Sequence, residues 1–123
     1  MLRYLRQIVA CCLLVAPLNL GCAEQATVSP EGVVSAFFGA VDRDDCKGAL
    51  RWLDGPAKER FEEEDCDAAL QALRQKRFER VLSAHVDGRD ARMHLVRARF
   101  AGEREPVLLG VRKTRRGHRI VSF

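Results

Sequence analysis

Apolar positions change their spacing twice along this chain. From Ile8 to Leu20 they run almost without interruption, from Val34 to Leu73 they recur three or four residues apart, and after Phe78 they alternate with polar residues. The middle stretch opens at Ser29-Pro30, an N-cap serine followed by proline at the first helical position. Val34, Phe37, Phe38 and Val41 then share one helix face. Asp44 or Asp45 is placed to cap a second short helix ending near Leu53, and Asp54-Gly55-Pro56 breaks the chain. A third helical stretch carries Phe61 and then Cys66 to Leu73. Acidic Glu62, Glu63, Glu64, Asp65 and Asp67 crowd one end of it, with Arg74, Lys76 and Arg77 at the other. That order complements the helix dipole for a helix starting near Glu62.

The later alternation predicts strands. Leu82, Ala84 and Val86 alternate up to a turn at Asp87-Gly88; Val96, Ala98 and Phe100 alternate with Arg97 and Arg99. A turn at Ala101-Gly102-Glu103 leads to Val107, Leu109 and Val111, and a turn at Arg116-Gly117 leads to a fourth strand, Ile120 to Phe123. The plan is α+β: three N-terminal helices packed on one face of a four-stranded, mainly antiparallel sheet.

The first apolar run has a different character. Arg3 and Arg6 precede it and small residues follow, and its thirteen residues at about 1.5 Å each fall short of a ~30 Å bilayer core. Residues 1–21 therefore read as an export signal, with a short buried helix as the alternative. Leu18-Asn19-Leu20-Gly21-Cys22 resembles the lipobox of bacterial lipoproteins. In that family a small residue precedes a cysteine whose thiol receives diacylglycerol; Gly21 and Cys22 match, whereas Asn19 stands where Leu, Val or Ile is usual. The resemblance implies lipidation of Cys22 and, for a Gram-negative host, the outer membrane facing the periplasm; ordinary cleavage and periplasmic release is the alternative. Each buried methylene of such an anchor contributes about 0.8 kcal/mol. Residues 22–28 would then be a short tether and residues 29–123 the domain.

This address sorts the five cysteines. Cys11 and Cys12 leave with the signal, and Cys22 is the lipidation candidate. Cys46, Ala49, Leu50 and Leu53 share one helical face, and Cys66, Ala69, Leu70 and Leu73 repeat the spacing. Each remaining cysteine thus opens an apolar stripe, and both stripes need the same small core. A Cys46–Cys66 disulfide is the expected outcome in an oxidising compartment, at about 3 kcal/mol for a loop of this length. The spacing fits neither a zinc site nor a Cys-x-x-Cys redox motif. A catalytic thiol is the remaining alternative, and nothing basic is spaced beside either residue.

At 123 residues, with 47% apolar and 31% charged, the chain allows one ordinary domain and excludes a multidomain or disordered protein. Charge is divided between its halves. Residues 22–70 hold five Lys/Arg and twelve Asp/Glu, a balance of −7, and residues 71–123 hold fourteen and five, a balance of +9. The bland reading is two solvated faces, aiding a homodimer by complementarity. The functional reading is an anionic partner on Arg92, Arg97, Arg99, Arg112, Lys113, Arg115, Arg116 and Arg119. Export and the lack of interleaved aromatics argue against nucleic acid, so an anionic lipid or cell-wall polymer is the better partner.

Ser29-Pro30-Glu31-Gly32-Val33-Val34-Ser35-Ala36-Phe37-Phe38 resembles the opening helix of nuclear transport factor 2-like domains. Asp45 to Leu53 looks like their second helix, and Gly117-His118-Arg119-Ile120 resembles the Gly-Trp-Lys-Ile closing their last strand, with His118 where Trp is usual. The resemblance spans residues 29–123 and is closest to small exported lipoproteins. It implies a curved sheet wrapping the helices into a cone, sometimes open as a pocket. It fixes no chemistry, because enzymes, binding modules and dimerisation domains share the fold.

Candidate pocket residues on that plan are Phe37, Phe38, Trp52, His94 and His118; core filling is the default for Trp52. His94 has the strand parity of Val96, His118 that of Ile120, and His85 reads as solvated. An inward His94 beside a carboxylate could form an acid/base pair, but no Asp or Glu sits on an apolar strand face. Phosphate loops, nucleophile elbows and His-Glu-x-x-His helices are absent from the sequence. The expectation is a non-enzymatic envelope lipoprotein, with no cofactor or metal, whose domain binds a ligand or protein partner. The alternatives are a small-molecule enzyme using a pocket histidine and a structural dimerisation module.

Overall fold

Four helices and a four-stranded antiparallel sheet form an α+β domain in a computed structural model that describes residues 28–123. The signal-like segment, Cys11, Cys12, the lipidation candidate Cys22 and the tether through Thr27 lie outside the described residues.

Helix α1 (Pro30–Asp42) starts where Ser29, in extended conformation, accepts the Gly32 amide on its Oγ at 3.0 Å. It buries Val33, Val34, Phe37, Phe38, Ala40 and Val41. Asp44, with φ 57°, reverses the chain, and Asp45 caps α2 (Cys46–Leu50) by accepting the Gly48 amide at 2.9 Å. Leu53 lies beyond α2 and reaches the core through a bridge to Ile120.

The third predicted helix is two helices, α3 (Gly55–Glu63) and α4 (Cys66–Lys76). Phe61 and Leu70, both buried, are nine residues apart, which on an unbroken helix of about 3.6 residues per turn would set them on opposite sides. Extended backbone at Glu64 and Asp65 restores the phase, and the Asp65 carboxylate accepts the Asp67 amide at the new N-terminus. A disulfide joins Cys46 to Cys66, the first residues of α2 and α4, with Cα atoms 6.2 Å apart.

Strands β1 (Phe78–Asp87), β2 (Asp90–Phe100), β3 (Val107–Thr114) and β4 (Gly117–Ser122) pair in chain order. Val96, Ala98 and Phe100 of β2, Leu109 and Val111 of β3 and Ile120 of β4 are buried on the face that meets the helices. Strand β1 departs from simple alternation. An irregularity between Val81 and Ser83 puts Val81 opposite Ala98 and Ala84 opposite Val96, so Val81 packs on the core in place of Leu82.

The cap of α2 explains its central glycine. A Cβ at Gly48 would overlap the Asp45 carboxylate that makes the cap. Alanine there gains about 1 kcal/mol of helix propensity and loses a cap of about the same worth. Gly48→Ala alone is therefore expected to be nearly neutral in denaturant unfolding, whereas on an Asp45→Ala background it stabilises by about 0.5–1 kcal/mol. Equal effects on both backgrounds would show that the cap does not restrict this position.

Candidate binding site

The edge of the sheet beyond β4 is extended by residues 52–54. The Ile120 amide donates to the Trp52 carbonyl at 2.8 Å and the Asp54 amide to the Ile120 carbonyl at 2.9 Å. Leu53 points into the core, so by strand alternation Trp52 and Asp54 lie toward the other side of the sheet. Asp54 also caps α3, accepting the Gly55 amide at 2.9 Å. Gly55 has φ 54°, a left-handed conformation that costs glycine little and turns the chain onto β4.

A register shift in β4 completes the local geometry. Val111 pairs with Ile120 but Gly110 with Ser122, leaving Val121 as the extra residue. A Cβ at Gly110 would run into the Ser122 hydroxyl and lie 3.5 Å from Met93 Sδ, so a larger residue there would require Ser122 to turn aside. Between this bulge and the start of α3 is a cleft of about 390 Å³ lined by Asp54, Gly55, Pro56, Met93, Arg112, Val121 and Ser122. A smaller hollow of about 150 Å³ adjoins it over Pro56, Val121 and Phe123.

One arginine, Arg112, lines the cleft, and Arg116 and Arg119 stand next to its wall residues Asp54 and Arg112. Arg112 and Arg119 are register partners across β3 and β4, so both leave the face away from the helices. The Arg119 guanidinium lies 5.3 Å from the Trp52 ring centroid, and Arg51 lies 5.7 Å from the same ring. One Arg119 nitrogen, Nη1, donates to the His118 carbonyl at 2.7 Å; its buried Nε has no hydrogen-bond partner among the described residues. Burial, followed by Arg116 and Arg51, pulls the Arg119 pKa below its ordinary value, and Asp54 pulls it back. Two carboxylates compensate part of this charge: Asp54 is 3.8 Å from Arg116 and Asp90 is 3.6 Å from Arg112.

The predicted pocket residues are placed elsewhere, and none lines the cleft. Phe37 and Phe38 are buried in an aromatic cluster with Phe61, Phe78, Phe100 and Phe123, filling the space between helices and sheet. Trp52 is half-buried beneath the two arginines. His94 and His118 do meet, with ring centroids 5.2 Å apart and rings perpendicular. His118 Nδ1 lies 3.0 Å from the Val28 carbonyl, while the buried Nδ1 of His94 has no partner among the described residues. His85 is exposed.

Of the basic residues singled out in the sequence, Arg97, Arg99, Arg112 and Arg119 share the face away from the helices, joined by Arg80 opposite Arg99. Arg92 and Lys113 have the opposite parity, and Arg115 and Arg116 form the β3–β4 turn. The sequence does not announce Met93, Val121 and Ser122 as lining residues; Gly110 inside a strand is its one signal of a close approach there.

No family model, curated protein or solved structure matches the chain.

Proposed function

We propose that this protein is an exported, lipid-anchored envelope protein whose domain, a nuclear transport factor 2-like fold, is a non-enzymatic binding module for an anionic envelope component. The carrying observation is the outer sheet face, on which Arg80, Arg97, Arg99, Arg112 and Arg119 stand together. Close positive charges on a relatively rigid sheet attract anions at long range and hold them by charge-assisted hydrogen bonds. The Cys46–Cys66 disulfide supports the export reading, since such bonds persist in oxidising compartments. With the chain tethered at Cys22, anionic headgroups would lie within reach of the domain, each nearby Lys or Arg contributing about 1 kcal/mol at the surface.

Two measurements test this. Intact mass of the protein from its own envelope should show a lipid increment on Cys22 and a two-dalton gain on reduction; an unlipidated, reduced chain overturns the address. For the partner, residues 22–123 carrying Cys22→Ser should sediment with phosphatidylglycerol vesicles at low salt and be released as ionic strength rises. Arg97→Glu with Arg99→Glu should weaken that association about tenfold or more, at about 1 kcal/mol lost per cation and a further penalty per reversed charge. Equal sedimentation with neutral phosphatidylcholine vesicles would overturn the charge-based reading.

A further inference from the structure

The outer face is not uniform, and its most crowded positive charge is next to a depression of substantial size. Like charges directly opposite on neighbouring strands destabilise a sheet, yet Arg112 and Arg119 are register partners. Arg116 and Arg51 act on Arg119. Among the described residues Asp90 pairs with Arg112 and Asp54 with Arg116, while Arg119 and Arg51 have no carboxylate within ion-pair distance. The buried Nε of Arg119, which stands next to Arg112 rather than in the cleft lining, has no hydrogen-bond partner among the described residues. An anion seated beside Arg112 would relieve the repulsion.

The cleft supplies the second half of a ligand's outline. Met93, Val121 and Pro56 give it apolar walls, while Arg112, Ser122 and Asp54 give it polar ones. Its volume of about 390 Å³ lies in the range of about 300–1,000 Å³ usual for small-molecule sites. A bare inorganic anion would leave the apolar walls wet, and a neutral apolar molecule would leave the arginines repelling one another. We propose that the cleft between β4 and the start of α3 binds an organic anion with an apolar body, its carboxylate or phosphate at Arg112, on the side of Arg119, and its chain along Met93, Val121 and Pro56. This deepens the reading of the domain as an anion-binding module and rests on it. The shared chemistry is an anionic head on an aliphatic chain, which a free fatty acid or a phosphorylated amphiphile brings alike.

The test uses residues 22–123 carrying Cys22→Ser, which contain the whole folded core. Sodium decanoate, decyl phosphate, decanol and inorganic phosphate are titrated separately below any micelle-forming concentration, with binding read by calorimetry and by shifts of the Met93 methyl resonance. Decanoate and decyl phosphate should bind at least tenfold more tightly than decanol or phosphate. Tighter decanoate points to the fatty acid, tighter decyl phosphate to the phosphorylated amphiphile. Arg112→Gln should weaken decanoate about tenfold or more, Arg119→Gln should weaken it less, and Ser122→Phe should block it by filling the cleft. Arg74→Gln, on α4 and away from the outer sheet face, should change it less than twofold. Equal losses from Arg74→Gln and Arg112→Gln, or equal affinity for decanol and decanoate, would overturn the site. Vesicle binding retained without decanoate binding would overturn the cleft alone and leave the anion-binding reading standing.

Discussion

Replacing Phe38 with alanine should remove about 3–5 kcal/mol of stability, a large share of the 5–15 kcal/mol typical of a small domain. Phe38 is 2% exposed and touches three other rings. It meets Phe37 edge-on at 5.0 Å, stacks on Phe78 at 4.5 Å and meets Phe100 edge-on at 5.2 Å. Those partners come from α1, β1 and β2, so the one side chain ties the first helix to two strands. Their backbones are held by helical and strand hydrogen bonds, so the surroundings cannot collapse far into the space a deleted ring leaves. The cost therefore includes a cavity as well as lost transfer energy. The denaturant midpoint of Phe38→Ala should fall at unchanged slope. Phe38→Leu should cost roughly a third as much, because it keeps most of the apolar volume. A loss below about 1 kcal/mol for Phe38→Ala would show that the aromatic cluster is not the centre of the core.

The same packing shows what the sequence could and could not disclose. Strands β2 and β3 were legible because one face of each is buried and the other is not, so Val96, Ala98, Phe100, Leu109 and Val111 alternate without interruption. Strand β1 was legible as a strand but not in which side chains face the core, because the bulge after Val81 shifts parity at a point that no glycine or proline marks. The division of α3 from α4 was hidden for a different reason. Asp65 suits the acidic first turn of a long helix as well as the N-cap of a short one, and only the phase of Phe61 against Leu70 decides between them. The cleft combines both difficulties. Asp54 and Pro56 meet Met93, Arg112 and Ser122 from distant parts of the chain, through a bulge at Val121 and an added edge at residues 52–54. Arginines on one strand face were legible by parity; the crossing of Arg112 with Arg119 required the register.

Reduction of the disulfide should be nearly as damaging as loss of a core ring. Helix α2 has five residues, well below the roughly twelve an isolated helix needs, so its position depends on what it is attached to. Its attachments are Ala49, fully buried, Leu50, half-buried against the core, and Cys46. Helix α4 buries Ala69 and Leu70 and leaves most of its surface in water. The Asp44–Arg74 ion pair at 3.6 Å also bridges α4 to the start of α2, but both groups are well exposed and solvent weakens it. Beyond the core contacts of Ala49, Leu50, Ala69, Leu70 and Leu73, the covalent link is the direct tie between these helices. Closing its loop restricts the unfolded chain by about 3 kcal/mol in the entropy model. For a domain of this size that corresponds to a fall in Tm of about 12–24 °C. The double variant Cys46→Ala, Cys66→Ala should unfold within about 1 kcal/mol of the reduced wild type, since both lack the same constraint. Dithiothreitol should lower the wild-type Tm and leave that of the variant unchanged. A wild-type transition that does not move on complete reduction, with free thiols counted to confirm it, would mean that the noncovalent packing of α2 and α4 holds them without the bond.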